Sequence, residues 1–211
     1  GLSDFADGAS HQSVSDIAVM QAIPNITIIV PSDITSTRWA TEAMLAHRGP
    51  VFLRLSREAV DRDYPPGLDL TIGRGVVVND GEDVTIVACG VPMRFAREAV
   101  SALAARGMSA RLIDLLTVKP LDRELLVESA RKTGAVVTVE EHNRYSGVGS
   151  SIAALLGESC PTPVLRCGIP DRFGESGAYA EILDRAGIGT DHIVDAAAKA
   201  VKTKQEQRET Q

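Results

Sequence analysis

In the stretch Asp7-Gly8-Ala9-Ser10-His11-Gln12 a histidine stands in a glycine-containing turn just ahead of an amphipathic run. Imidazole is the side chain that exchanges its proton nearest neutral pH. His11 therefore has two readings: a reactive ring aimed into a pocket by the helix that follows, or a polar neighbour of a helix cap, since turns take small polar residues for local reasons alone. The stretch "VEEHN" puts Glu140, Glu141 and His142 at the end of a strand pattern, a carboxylate and imidazole cluster best read as a structural network or an interface contact. "SGVGSS" offers backbone amides at the start of a helix, where an anion can bind. It lacks the full GxGxxG and the acidic residue that follows in a dinucleotide site, so its glycines are read as close strand-helix packing. "PDRFGESG" carries Arg172 and Glu175 in a shaped loop, with Phe173 as its expected anchor.

The elements that must position these residues alternate. "SVSDIAVMQAI" places Ile17, Met20 and Ile23 near one helical face and stops at Asn25, ahead of "ITIIVP", a run apolar enough for a strand buried on both faces. Ser32 and Asp33 offer N-caps for "ITSTRWATEAMLAH", and Gly49-Pro50 precedes the strand "VFLRLS". The pattern then breaks into a Pro-Pro-Gly turn, a short β-like stretch and an Asp80-Gly81 turn, which reads as an interdomain linker with a small hairpin. Beyond it, "VTIVAC", "SARLIDLL", "AVVTVEE" and "TPVLRC" read as strands separated by helical patterns, with Gly107, Gly134 and Gly187 where helix C-caps are expected. The first segment has about two strands, fewer than a covered α/β sheet needs, so it reads as the back half of a domain whose front is on a partner or an absent segment.

Composition excludes several classes of function. A net charge of −6 lacks the basic surface that binding nucleic acid requires. One or two arginines would still hold a metabolite phosphate. The cysteines, Cys89, Cys160 and Cys167, are odd in number and show no CxxC spacing, which argues against a disulfide framework and a zinc knuckle and suits the cytoplasm. No metal site, signal peptide or membrane-length apolar run is expected.

The succession "DGASHQSVSDIAVMQAIPNITIIVPSD", "GPVFLRLSR", "DVTIVACG", "LLTVKPLD", "VTVEEHN" and "GIPDRFGESG" resembles the C-terminal portion of transketolases, and most of all the C-terminal subunit of the split form. The resemblance implies an α/β chain: a partial parallel-sheet pyrimidine-binding domain at 1–66, a linker with a hairpin at 67–83, a compact three-layer C-terminal domain at 84–203 and a frayed polar tail at 204–211. It implies transfer of a two-carbon ketol unit between sugar phosphates, with thiamine diphosphate and magnesium held mainly by an N-terminal subunit or missing region in a homodimer-like assembly. Carried over residue by residue, Asp7 and His11 match the Asp-Gly-x-x-His turn that lines the substrate channel, His11 as a catalytic proton carrier. Arg57 matches the arginine that grips the sugar phosphate. Asp4-Phe5-Ala6 departs from the family's Gly-rich, acidic approach to this turn, which bears on donor fit. Regular strand alternation puts Arg54 on the opposite face from Arg57, and no role is assigned to it. The alternatives are a deoxyxylulose-phosphate synthase, which usually has a second histidine where Gln12 stands, a 2-oxoacid dehydrogenase β-like component, or a non-catalytic assembly module.

Overall fold

The computed structural model describes residues 1–60, 63–65 and 67–209. The middle of the expected Pro-Pro-Gly turn, the boundary at 66 and the last two tail residues lie outside them. A 3-10 turn at Gly8–Ser10 leads into helix α1 (Asp16–Gln21). The apolar run that follows supplies β1 (Thr27–Ile29), wholly buried as its composition requires. Helix α2 (Ile34–Ala46) starts at a capping box: Asp33 accepts the Ser36 amide at 2.6 Å and Ser36 Oγ accepts the Asp33 amide at 3.0 Å. Strand β2 (Val51–Leu53) then pairs parallel to β1.

The sequence points to two strands here, and the structure adds a third from far along the chain. β6 (Thr117–Lys119) pairs antiparallel to β1, giving the order β2-β1-β6. The edge expected to lie open is therefore covered on the β1 side, and β2 is the unpaired edge of the described sheet.

The larger sheet has the order β3-β5-β4-β7-β8, built from β3 (Val76–Asn79), β4 (Val84–Ala88), β5 (Ala110–Asp114), β7 (Val136–Asn143) and β8 (Val164–Ile169). Its last four strands are parallel, as strands buried on both faces and joined by helices must be. The expected linker hairpin does not form. β3 pairs antiparallel with β5 instead of with the strand that follows it, because β4 is flanked by β5 and β7 and only the outer edge of β5 is left. Helices α3 (Met93–Ala105), α6 (Tyr179–Ala186) and α7 (Thr190–Glu209) cover one face, and α4 (Arg123–Thr133) and α5 (Val148–Ser159) the other. Gly134 and Gly187 end α4 and α6 at φ 68° and 72°, a left-handed conformation open to glycine at little cost. The tail expected to fray after Thr203 remains helical to Glu209.

The core runs through both sheets. One apolar layer joins Val84, Ile86, Val137 and Ile169 to the helices on their face. The other packs Val87, Ile113, Ile152 and Leu156 against Ile17 of α1, Ile28 of β1 and the adjoining Val30, so the two sheets share one hydrophobic seam.

Candidate active site

The Asp7–His11 turn and the end of β2 meet at one edge of that seam. A cleft of about 430 Å³ is lined there by Asp4, His11, Asp16, Phe52, Arg54 and Arg57, among others. It opens beyond the carboxyl end of β2, the place where parallel α/β sheets offer ligand sites. A larger open groove of about 860 Å³ between α5 and α7 has no histidine, arginine or lysine in its lining and so holds neither a base titrating near neutral pH nor a cation for an anion.

His11 is exposed, and its Nδ1 meets Ser10 Oγ at 3.0 Å. Nε2 is thus the ring nitrogen left for a ligand. Arg57 is also exposed, and its Nη1 donates both to Asp4 and, at 2.9 Å, to Asp7. That leaves the Nε and Nη2 edge of the guanidinium, a fork that matches two anionic oxygens, without a protein partner among the described residues. The bond to Arg57 above all holds the Asp7 carboxyl below its ordinary range. The structure therefore brings Asp7, His11 and Arg57 to one mouth, Asp7 as an ion-pair partner of Arg57 and His11 as a lining residue.

Arg54 and Asp4 have parts that sequence reasoning did not give them. The strand ends at Leu53, so alternation no longer governs Arg54, which turns inward. Its Nε donates to Asp16 at 2.7 Å and its Nη2 to the Glu141 carbonyl at 3.1 Å, with 12% of the side chain exposed. Burial alone would raise Asp16, yet the bond and charge of Arg54 keep it below the usual carboxylate value. A pair of opposite charges in the amphipathic run and at the strand end was the only available signal. Asp4 belongs to the stretch where the sequence departs from the family pattern, and it pairs with Arg57, a contact that departure did not announce.

The "VEEHN" cluster is a buried network, as expected. Glu140 accepts the Val148 and Gly149 amides at 2.7 and 2.9 Å, filling the start of α5 with a carboxylate of the chain itself. A Cβ on Gly147 would collide with that carboxylate, which explains the glycine and rules out an added phosphate at this helix start. Burial pushes Glu140 up to about 7 against the pull of these amides. His142 Nε2 faces the Ala18 amide at 3.4 Å, and because an amide can only donate, the ring proton lies on Nδ1, bonded to the Asn143 carbonyl at 2.9 Å. Burial lowers the His142 pKa, against the bond to Asn143 that raises it. Phe173 is not an anchor: it is 92% exposed, and the loop is held by its neighbours instead.

Fold and cleft together define a class, an α/β protein of largely parallel sheets with a polar cleft near their junction. The family model of the transketolase C-terminal domain matches residues 73–193, and that of the transketolase pyrimidine-binding domain matches residues 1–62. The chain belongs to the transketolase family. It is 38% identical over 204 residues to the 6-deoxy-6-sulfo-D-fructose transketolase subunit of Clostridium sp. (strain MSTE9), covering 97% of this chain and 63% of that subunit. It is 36% identical over 199 residues to 1-deoxy-D-xylulose-5-phosphate synthase 1 of Geobacter sulfurreducens, covering 91% of this chain and 30% of the synthase. Among solved structures, a split gene transketolase described as an inactive beta4 tetramer superimposes with a TM-score of 0.91 at 44% identity, over 94% of this chain and 65% of that one. The chain thus spans a little under two thirds of the length of that subunit and of that solved chain.

This family implies thiamine diphosphate. Among the described residues no three His, Cys, Asp or Glu side chains converge to hold a metal ion. No helix among the described residues is long and apolar enough to cross a membrane.

Proposed function

We propose that the chain is the C-terminal component of a thiamine-diphosphate-dependent transketolase, moving a two-carbon ketol unit from a ketose phosphate to an aldose phosphate. In this reading an N-terminal subunit or segment binds the diphosphate through magnesium, and two such assemblies join as a dimer in the cytoplasm, a location that suits free cysteines at 89, 160 and 167. The observation that carries the reading is that His11 and Arg57 line one cleft, with Asp7 paired to Arg57, in a chain of this family.

The roles follow from chemistry. His11, with Nδ1 engaged by Ser10, presents Nε2 to accept or return a proton at a substrate hydroxyl or carbonyl oxygen. The free edge of Arg57 holds the phosphate, and Asp7 both steadies that arginine and accepts a sugar hydroxyl. A synthase of the deoxyxylulose-phosphate type is the second reading, supported by the relative of that name. Against it stands Gln12, which takes the place of that enzyme's usual second histidine and is buried at 8% exposure.

The deciding experiment combines this chain with its N-terminal counterpart, thiamine diphosphate and magnesium and measures ketol transfer between sugar phosphates. Transfer is expected from the mixture and from neither component alone. A complex that assembles with cofactor yet transfers nothing favours a non-catalytic assembly module. Condensation of pyruvate with glyceraldehyde phosphate in place of ketol transfer favours the synthase.

A further inference from the structure

We propose that Gln12 is a positioning residue: its carboxamide, closed on the backbone of Glu175, lets the 170–177 loop of the C-terminal domain set the pose of the Asp7–His11 turn. The catalytic consequence rests on the function proposed above, whereas the mechanical coupling does not.

The contact is reciprocal. Gln12 Nε2 donates to the Glu175 carbonyl at 2.8 Å, and the Glu175 amide donates to Gln12 Oε1 at 3.0 Å. Both functions of the side chain are thus used in a half-buried pair that imitates a strand-to-strand bridge. The loop is itself held, because the Glu175 carboxylate meets Arg185 at 3.0 Å and Arg172 at 3.4 Å. Backbones are close along the whole contact. A Cβ on Gly174 would strike Gln12 Oε1 and come within 3.3 Å of Ala9 Cα, and one on Gly8, at φ 76°, would strike Ser176 Oγ.

Further bonds extend the contact on both sides of the turn. The Gly177 amide reaches the Phe5 carbonyl at 3.4 Å, and the rings of Phe5 and Tyr179 lie 5.5 Å apart. Downstream, the Asn143 amide donates to the Val14 carbonyl at 2.9 Å, and Ala18 donates to His142. The turn that carries His11 is therefore seated on the C-terminal domain, although it precedes the first sheet in the chain. Gln12 adjoins His11 directly, so a shift of its carboxamide moves the imidazole. Misplacement of a reacting group by about 1 Å costs up to roughly 10²-fold in rate.

A carboxylate cannot donate, which makes Gln12→Glu diagnostic. Ionised, it loses the bond to the Glu175 carbonyl and sets two oxygens against each other; protonated, it donates again. With the reconstituted assembly, Gln12→Glu should lose about tenfold or more in kcat/KM at pH 8 relative to wild type. That ratio should recover as pH is lowered through the carboxyl titration. Gln12→Ala should show the loss at every pH.

Hydrogen exchange on the chain by itself gives the second readout. Gln12→Ala and Gly174→Ala, the latter at a φ that alanine tolerates, should each speed exchange at residues 11–13 and 174–177 together by about tenfold or more, as the reciprocal bonds are lost. The double variant should add nothing, and β4 and β7 should stay protected. Unchanged exchange, additive effects, loosening spread over the whole chain, or a Gln12→Glu deficit independent of pH would each overturn the proposal. If the wild-type assembly transfers no ketol unit, the functional reading fails on its own, and exchange still decides whether loop and turn move as one.

Discussion

Asp7 and His11 share one turn and Arg57 stands 50 residues beyond Asp7, and their meeting gives His11 and Arg57 distinct kinetic signatures. His11→Ala should lower kcat/KM of the reconstituted enzyme by roughly 10²-fold with little change in Tm, because the ring is exposed and among the described residues bonds only to Ser10. Arg57→Ala should weaken turnover of phosphorylated ketoses far more than of unphosphorylated ones, since a remote phosphate supplies binding energy and not chemistry. Steady-state kinetics on paired substrates measures both, and an equal loss on the two substrate types would remove Arg57 from the phosphate. All three residues were legible as candidates from the sequence. The ion pair with Asp4 was not, because the sequence alone does not say which of several acidic residues in a loop turns toward a distant arginine.

The junctions between elements were the least legible part. Strand and helix types followed from apolar runs and from glycines at 107, 134 and 187, but β6 is only three residues long, and its partner β1 lies far earlier in the chain. No local pattern announces a pairing of that kind. Asp114 marks the same junction. At the end of β5, fully buried, it accepts hydrogen bonds from Ser32 Oγ, just ahead of α2, and from Tyr64 OH at 2.9 Å, while its Oδ1 has no partner among the described residues. Burial pushes its carboxyl up to about 7, helped by the charge of Asp33 and opposed by these bonds and by Arg97. The folded chain therefore holds a proton that the unfolded chain has lost between pH ~4 and ~7, so stability falls as pH rises across that window and is level above it. Asp114→Asn keeps an acceptor for Ser32 and Tyr64. It should match wild type near pH 4.5 and exceed it by ~1–3 kcal/mol at pH 8 in urea denaturation, and a constant difference at all pH values would contradict this account.

Across the molecule, the seam between the sheets rests on apolar packing from both and on the buried pair of Arg54 with Asp16. Removing one partner of such a pair leaves a charge without compensation, so Arg54→Ala should cost about 3–5 kcal/mol. The double change Arg54→Met with Asp16→Leu should recover much of that loss, and equal stabilities for single and double variants would show that the charges are not coupled. The shared seam also governs how the chain folds during synthesis. The first sheet has β1 and β2 in place by Leu53, yet the strand that flanks β1 on its other side ends at Lys119. At a translation rate of about 5–20 residues per second, β1 waits several seconds with one edge open while β3, β4, α3 and β5 are made. A nascent chain paused within that interval exposes an apolar strand edge, the kind of surface that chaperones hold and that pairs with other copies of itself, so synthesis slowed between residues 54 and 119 should lower soluble yield more than the same delay placed later.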